Sequence, residues 1–262
     1  MPTQITSPHN PRLTRVLALL EQRKQRHAER AFVVEGVRLT EEALASGWQP
    51  ELTLFSERLS ERGMQVVRGL EQRGSEVLEI PDRLMDRLAA TETTQGLVAV
   101  FPMPQPALPE KLDFALIVDT LRDPGNLGTL LRSAAAAGAQ AALIAPGAVD
   151  LYAPKVLRAG MGAHFRLPIV QAGWGEIRAA CKDRRPALEI FLAEPDEGIP
   201  CWQTDLRVPL ALIISSEADG ASAEARVAAD RHITIPMPGK SESLNAATAA
   251  SILLFEVVRQ RQ

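Results

Sequence analysis

The residues best suited to chemistry in this 262-residue chain gather in three loops, each following an apolar run. The first, residues 119–132, reads DTLRDPGNLGTLLR. Pro124 and Gly125 suit a tight turn, Asn126 is expected to cap the following helix, and Gly128 permits close backbone approach. Arg132 lies six residues beyond Asn126. At about 3.6 residues per turn, the two can face one cavity only if the loop bends over the helix. Small and apolar neighbours surround Arg132 in LGTLLRSAAAAGA. A partly buried guanidinium is therefore expected, needing a carboxylate or a phosphate as partner. A plain structural ion pair would meet the same need.

The second loop, residues 215–222, reads SSEADGAS. It suits a turn whose backbone N–H groups face a polar ligand, and Glu217 is placed to pair with Arg132. A solvated turn acid would look the same. The third stretch, residues 232–259, runs HITIPMPGKSESLNAATAASILLFEVVR. Residues 233–235 read as a buried strand, 236–242 as a loop broken by two prolines and a glycine, and the chain from Ser243 as a helix. Ser243 or a neighbour is the expected N-cap, with Asn245 in the first turn near the positive end of the helix dipole. Residues 246–255 carry no charge, so this helix is expected to be buried almost all round. Polar residues delivered to the mouth of a buried helix, just after a strand, occupy the ligand position of α/β proteins. An ordinary capped core helix is the plainer reading.

Several chemistries are disfavoured. No GxGxxG follows a strand and no GxxxxGK[ST] occurs, which weakens nicotinamide dinucleotides and ATP as ligands and with them an α/β oxidoreductase. No carboxylate cluster suggests a metal, and no Cys/His or Ser/His/Asp set is evident. Two cysteines without a CxxC, and four histidines, argue against zinc sites and disulfide scaffolds and fit a reducing, cytoplasmic setting. The N-terminal stretch MPTQITSPHNPR lacks a signal-peptide core, and no apolar run approaches the ~18 residues a membrane span needs. With 46% apolar and 23% charged residues the chain can bury a full core, and a net charge of −3 advertises no global field for nucleic acid.

The elements that must position these loops fall into two α/β units. In residues 1–101, Leu13, Val16, Leu17 and Leu20 predict an amphipathic helix over residues 12–28. Its other positions are basic: Arg12, Arg15, Arg23, Lys24, Arg26 and Arg30 stand against Glu21 and Glu29, a local balance of +4 over residues 1–30. Such a run is either a solvated face or a phosphate-binding one. Strand and helix patterns then alternate to GLVAVF, giving a small three-layer domain, with the polar stretch TETTQG expected to lie exposed before the last strand. PMPQPALPE, with four prolines in nine residues, reads as a semi-rigid linker over residues 102–111. Residues 112–262 form the second unit, where crossover helices predict a mainly parallel sheet with ligands at the carboxyl ends of its strands.

Taken together, the three loops resemble the signature motifs of the SpoU, or TrmH, family of RNA ribose 2′-O-methyltransferases in the SPOUT superfamily. DPGNLGTLLRSAAAAGA resembles the first motif, IISSEADGAS the second and ITIPMPGKSESLNAATAASILLFEVVRQR the third. The N-terminal unit, from SPHNPRLTRVLALL through VVEGVRLTEEAL, is similar to the substrate-binding domain of ribosomal RNA members. The resemblance implies S-adenosylmethionine as methyl donor, with no metal. It places the cofactor near Ser215, Gly220, Ile235, Met237 and Leu244, with Ala145, Pro146 and Gly147 as neighbours. Asn126, Arg132, Glu217, Ser243 and Asn245 match the catalytic positions. Arg132 is often cast as a base in this family; a guanidinium pKa above ~12 favours holding phosphate and stabilising the incipient alkoxide. Ser215 and Ala218 stand where family glycines are common, and Ser215 is expected to narrow the room beside the cofactor. The resemblance also implies a trefoil knot in the C-terminal domain, a homodimer through that domain, and RNA as partner. Ribosomal RNA is favoured; transfer RNA, or a non-catalytic RNA-binding protein on the same fold, stays open.

Overall fold

The computed structural model describes residues 3–89, 94–217, 219–239 and 243–262. Contacts divide the chain into two compact units: Met1–Pro104 with Tyr152–Phe165, and Gln105–Leu151 with Arg166–Gln262. The segment Tyr152–Phe165, which reads from sequence as part of the C-terminal unit, thus packs with the N-terminal one.

The first unit begins with β1 (Thr3–Gln4), α1 (Pro11–Glu21), α2 (Arg23–Glu29), β2 (Ala31–Glu35), α3 (Val37–Ala45) and β3 (Leu52–Phe55). It continues through α4 (Glu61–Gln72), β4 (Glu76–Glu79), α5 (Asp82–Leu88) and β5 (Leu97–Pro102). The sheet runs β1-β4-β3-β5-β2, with β5 antiparallel to both its neighbours. Strand alternation sends Leu52, Leu54, Val98 and Val100 to one face, under Leu13, Val16 and Leu19 of α1 and Leu84, Met85 and Leu88 of α5. Phe55 and Leu97 go to the other, against Val37 of α3 and Val66, Val67 and Leu70 of α4. Helices on both faces make three layers, as the alternating pattern predicts.

One basic helix was expected over residues 12–28; the structure has two. Gln22 is extended, with φ −113° and ψ 112°, and α2 starts afresh at Arg23. Arg26 explains the break: only 4% exposed, it donates from Nη1 to the carbonyls of Leu19 (2.6 Å) and Leu20 (3.1 Å), satisfying the open end of α1. Of the polar stretch before β5, residues 91–93 lie outside the described residues, while Thr94 is buried rather than exposed. Its hydroxyl accepts from Gly96 N at 3.2 Å.

The second unit holds β6 (Phe114–Val118), α6 (Pro124–Ala136) and β7 (Ala141–Ile144). The chain next forms α7 (Pro154–Gly160), which packs on β2 within the first unit, and α8 (Ala163–Arg166). Tyr152 and Phe165 join the aromatic cluster there: Tyr152 lies 4.7 Å from Phe32 and Phe165 lies 5.1 Å from Trp48, ring centre to ring centre. Back in the second unit come β8 (Ile169–Gln171), α9 (Trp174–Lys182), β9 (Glu189–Ala193), β10 (Ile199–Pro200) and β11 (Leu210–Ile214). The chain closes with α10 (Ala223–Ala228), β12 (Arg231–Thr234) and α11 (Ala246–Arg261). The seven strands run β10-β12-β9-β11-β6-β7-β8, every pair parallel. Fully buried runs such as Leu210–Ile214 are what a sheet covered on both faces requires. The proline-rich segment is no free spacer: Leu108 packs against the core of the second unit, and Arg184 Nη1 donates to Pro109 O at 3.4 Å.

Helix α11 departs from its expected all-round burial. Ala246, Ala247, Ala250, Leu253, Leu254 and Val257 are buried, but Ile252 and Phe255 are 40% and 48% exposed. With Thr248 and Arg259 they form one open stripe at helical spacing.

Candidate active site

The three loops converge because they follow β6, β11 and β12, strands that end on the same side of one parallel sheet. Their side chains are tied together. Asp119, fully buried at the end of β6, accepts through Oδ2 from Ser222 N (2.8 Å) and Ser215 Oγ (3.2 Å). Arg122 reaches Asp219 at 3.3 Å. Asn126 Nδ2 donates to Glu217 at 3.3 Å, and Asn245 Nδ2 donates to Asn126 Oδ1 at 2.9 Å. Glu217 also accepts from the backbone N–H of Ala246. A carboxylate there meets one of the free amides at the positive end of α11.

Capping differs from expectation at α6, and at α11 it falls not on Ser243 but on a residue close to it. Asp123, not Asn126, caps α6, accepting from Asn126 N at 2.7 Å; Pro124 and Gly125 already belong to the helix. Asn245, not Ser243, caps α11, its Oδ1 accepting from Ala247 N (3.1 Å) and Thr248 N (3.2 Å). In each case the cap's carbonyl accepts the first intrahelical N–H, from Leu127 and Ala249, while its side-chain oxygen takes an amide of the first turn. Asn126 is thereby released to bridge Glu217 and Asn245.

Arg132 is exposed and, among the described residues, has no hydrogen-bond or ion-pair partner, so the expected pairing with Glu217 is not made. It shares α6 with Asn126. Six residues of unbroken helix separate them by about 9 Å along the axis and about 120° around it. The adjacent Ser133 meets Ser251 of α11 through their hydroxyls at 2.8 Å.

A cavity of about 120 Å³ opens between the second and third loops. Ser215, Gly220, Ile235, Met237, Ser243 and Leu244 line it together with Glu217. Its concave, largely apolar wall with a few polar groups suits a small-molecule cofactor. The walls are mainly apolar, and among the described residues the only charged side chains lining it are Glu194 and Glu217. Such a lining suits a cationic sulfonium with an apolar nucleoside face. Ala145, Pro146 and Gly147 do not line it, contrary to expectation: they follow β7, which β6 separates from β11. Instead Ala193 at the end of β9, with Glu194 and Pro195 just after it, completes the wall, because β9 pairs directly with β11 and β12. The rule that ligands sit beyond strand ends could have found them in LEIFLAEPDEG.

Ser215 lines the cavity with its hydroxyl turned to Asp119, which holds it aside. Ala218 lies outside the described residues. Gly220 adopts φ +67°, where glycine is favoured, and its N–H closes the turn onto Ser216 O at 3.0 Å. The neighbour of Asp119 is strained. Thr120 sits at φ 51° with a buried hydroxyl lacking a partner, unusual for a β-branched residue and typical of functional loops.

The six basic residues of the N-terminal segment separate into two sets. Arg12 pairs with Glu76, Arg15 with Glu29 (2.6 Å) and Glu51 (2.7 Å), and Arg26 is buried, so Arg26 belongs to no exposed basic face. Arg23, Lys24 and Arg30 are exposed; Arg23 reaches only His27, at 3.5 Å, and Lys24 and Arg30 have no side-chain partner among the described residues. Among the described residues, no helix is long and apolar enough to cross a membrane.

Comparison with known proteins agrees with this geometry. Residues 113–255 match the SpoU rRNA Methylase family, and residues 10–99 match the MRM3-like substrate binding domain. The chain is 36% identical to a 23S rRNA (uridine(2479)-2′-O)-methyltransferase of Streptomyces viridochromogenes, over 98% of this chain and 92% of that protein. It is 31% identical to the 23S rRNA (guanosine(2553)-2′-O)-methyltransferase RlmP of Bacillus subtilis, over 91% and 92% of the two chains. The crystal structure of the SpoU methyltransferase AviRb from Streptomyces viridochromogenes in complex with AdoMet superposes with a TM-score of 0.87, at 32% identity over 96% of this chain and 99% of that one. With family and structural matches running through both units, the chain belongs to the SpoU rRNA methylase family.

Proposed function

We propose that this protein transfers a methyl group from S-adenosylmethionine to a ribose 2′-hydroxyl of ribosomal RNA. The observation that carries the reading is the cavity between the second and third loops, whose lining carboxylate Glu217 is hydrogen-bonded into the Asn126–Asn245 pair. Ser215, Gly220, Ile235, Met237 and Leu244 would hold the cofactor, which supplies an electrophilic methyl carbon when bound. The residues around it orient and stabilise. Glu217, engaged by Asn126 and the first amide of α11, keeps the loops in register. Asn126, Ser243 and Asn245 present polar groups for aligning the hydroxyl in line with the methyl carbon. Arg132, exposed and without a partner among the described residues, is available to an RNA phosphate and to the alkoxide that develops as the hydroxyl proton leaves. No metal is required in this scheme.

Ribosomal RNA is favoured because the N-terminal unit matches a substrate-binding domain and the similar proteins carry ribosomal RNA names. Arg23, Lys24 and Arg30 are the phosphate contacts this reading assigns to that unit. The reading also carries a trefoil knot in the C-terminal domain, a cytoplasmic location and a homodimer. The dimer is supported by the open stripe of α11, where Ile252 and Phe255 leave apolar surface uncovered. Mapping ribose methylation across all RNAs of a deletion strain and its parent is the test. One ribosomal position should lose its methyl group; an unchanged ribosomal map would overturn the substrate, and turnover abolished by EDTA would overturn the metal-free scheme.

A further inference from the structure

Glu194 is a charged residue that the active-site description leaves without work. It stands just beyond β9, 8% exposed, where its backbone N–H donates to Ile233 O at 2.9 Å and so joins the ends of β9 and β12. Its side chain lines the cavity, on the far side of β11 from the Asn126 loop. Arg226 Nη1 lies 2.6 Å from Oε1 as an ion pair, and His232 Nδ1 lies 3.9 Å away. Arg226 thus covers Oε1 on one flank, and among the described residues no other side chain donates a hydrogen bond to this carboxylate. One guanidinium does not fill the roughly four acceptor sites of a carboxylate, so a further neutral donor can still be accommodated.

A metal ion is the first alternative, since Glu194, Glu197 and His232 bring three ligand atoms within 4.8 Å of one another. Arg226 argues against it: the guanidinium sits 2.6 Å from Glu194 and 3.8 Å from Glu197, so a fixed cation already occupies that flank. Glu194 shares the cavity wall with Ile233 and Pro195. Those walls suit a flat nucleoside, whose ribose hydroxyls and exocyclic amine are neutral donors.

We propose that Glu194 reads the nucleoside half of S-adenosylmethionine, accepting hydrogen bonds from its ribose hydroxyls or its adenine amine. This rests on the cofactor reading of the same cavity and adds a contact from a loop outside the three motifs. Isothermal titration of the full chain with S-adenosylmethionine and with 5′-methylthioadenosine, which lacks the amino-acid half, tests it. Glu194→Gln should weaken both by roughly tenfold or more, the scale of a charge-assisted hydrogen bond, with an unliganded melting profile showing that the variant folds. Equal affinity of variant and wild type for both ligands would overturn the proposal. So would a loss confined to S-adenosylmethionine, which would assign Glu194 to the ammonium group. Should Glu194→Gln fail to fold, the wild-type chain decides: 2′,3′-dideoxy and N6,N6-dimethyl forms of methylthioadenosine that both bind as tightly as the parent overturn it. Weaker binding of one form identifies the donor. A wild-type chain that binds neither parent ligand would refute the cofactor reading itself.

Discussion

Two charged regions of this protein look alike in sequence and differ in structure. In the N-terminal segment, Arg12, Arg15 and Arg26 are each satisfied by a carboxylate or a carbonyl of their own unit. In the second unit, Arg132 has no partner among the described residues, and Glu194, in the cavity wall, is covered by Arg226 on one flank only. Charges that meet partners inside the fold stabilise it; charges left open are the ones available to a ligand. Local charge density therefore overstated the basic face of the first unit, and motif spacing understated the acidic side of the cavity.

The sharpest way to break this comparison is Arg132→Ala. Turnover should fall on the order of 10²–10³-fold, as when a preorganised stabilising donor is lost, while cofactor affinity by titration and the melting temperature stay unchanged. Near wild-type turnover would mean that the open guanidinium is idle. Arg26→Ala should act the other way. Two carbonyls at the end of α1 lose their donor, so denaturant unfolding should show a loss of about 1–3 kcal/mol, whereas an unchanged unfolding curve would deny Arg26 its capping role. A smaller effect is expected at Lys24→Ala: RNA affinity should weaken modestly and the salt dependence of binding should drop by about one unit of slope, with stability unaffected. An unaltered slope would remove Lys24 from the RNA face.

The smallest effect concerns a charge that is both exposed and paired. Hydrogen bonds from Arg207 hold the Asp205 carboxyl at a pKa of about 2, below its ordinary 3.8. Because the folded value is depressed, the contribution of this pair is fully present above the ordinary value and disappears as pH falls through the folded one. NMR titration of Arg207→Gln should return Asp205 toward its ordinary range, and a value that stays low would assign the shift to the backbone instead. For a fully exposed pair, no measurable change in melting temperature at neutral pH is expected.

Much of this architecture was legible in the residues themselves. The alternation of β-branched runs with amphipathic segments gave both α/β units, because burial on one or two faces imposes a period that survives in sequence. Motif spacing located Asn126, Glu217 and Asn245, which the fold does bring together, and five of the eight expected cofactor residues line the cavity: Ser215, Gly220, Ile235, Met237 and Leu244. What tertiary structure alone decided was adjacency and partnership. Strand order put β9 beside β11 and kept β7 away, so Glu194 entered the wall while Ala145, Pro146 and Gly147 did not. The burial of Arg26 and Thr94, the open stripe on α11 and the attachment of Tyr152–Phe165 to the first unit are likewise absent from any local pattern. Each depends on which groups, far apart in the chain, compete for the same donor or the same piece of apolar surface, and that competition is settled only when the chain is packed.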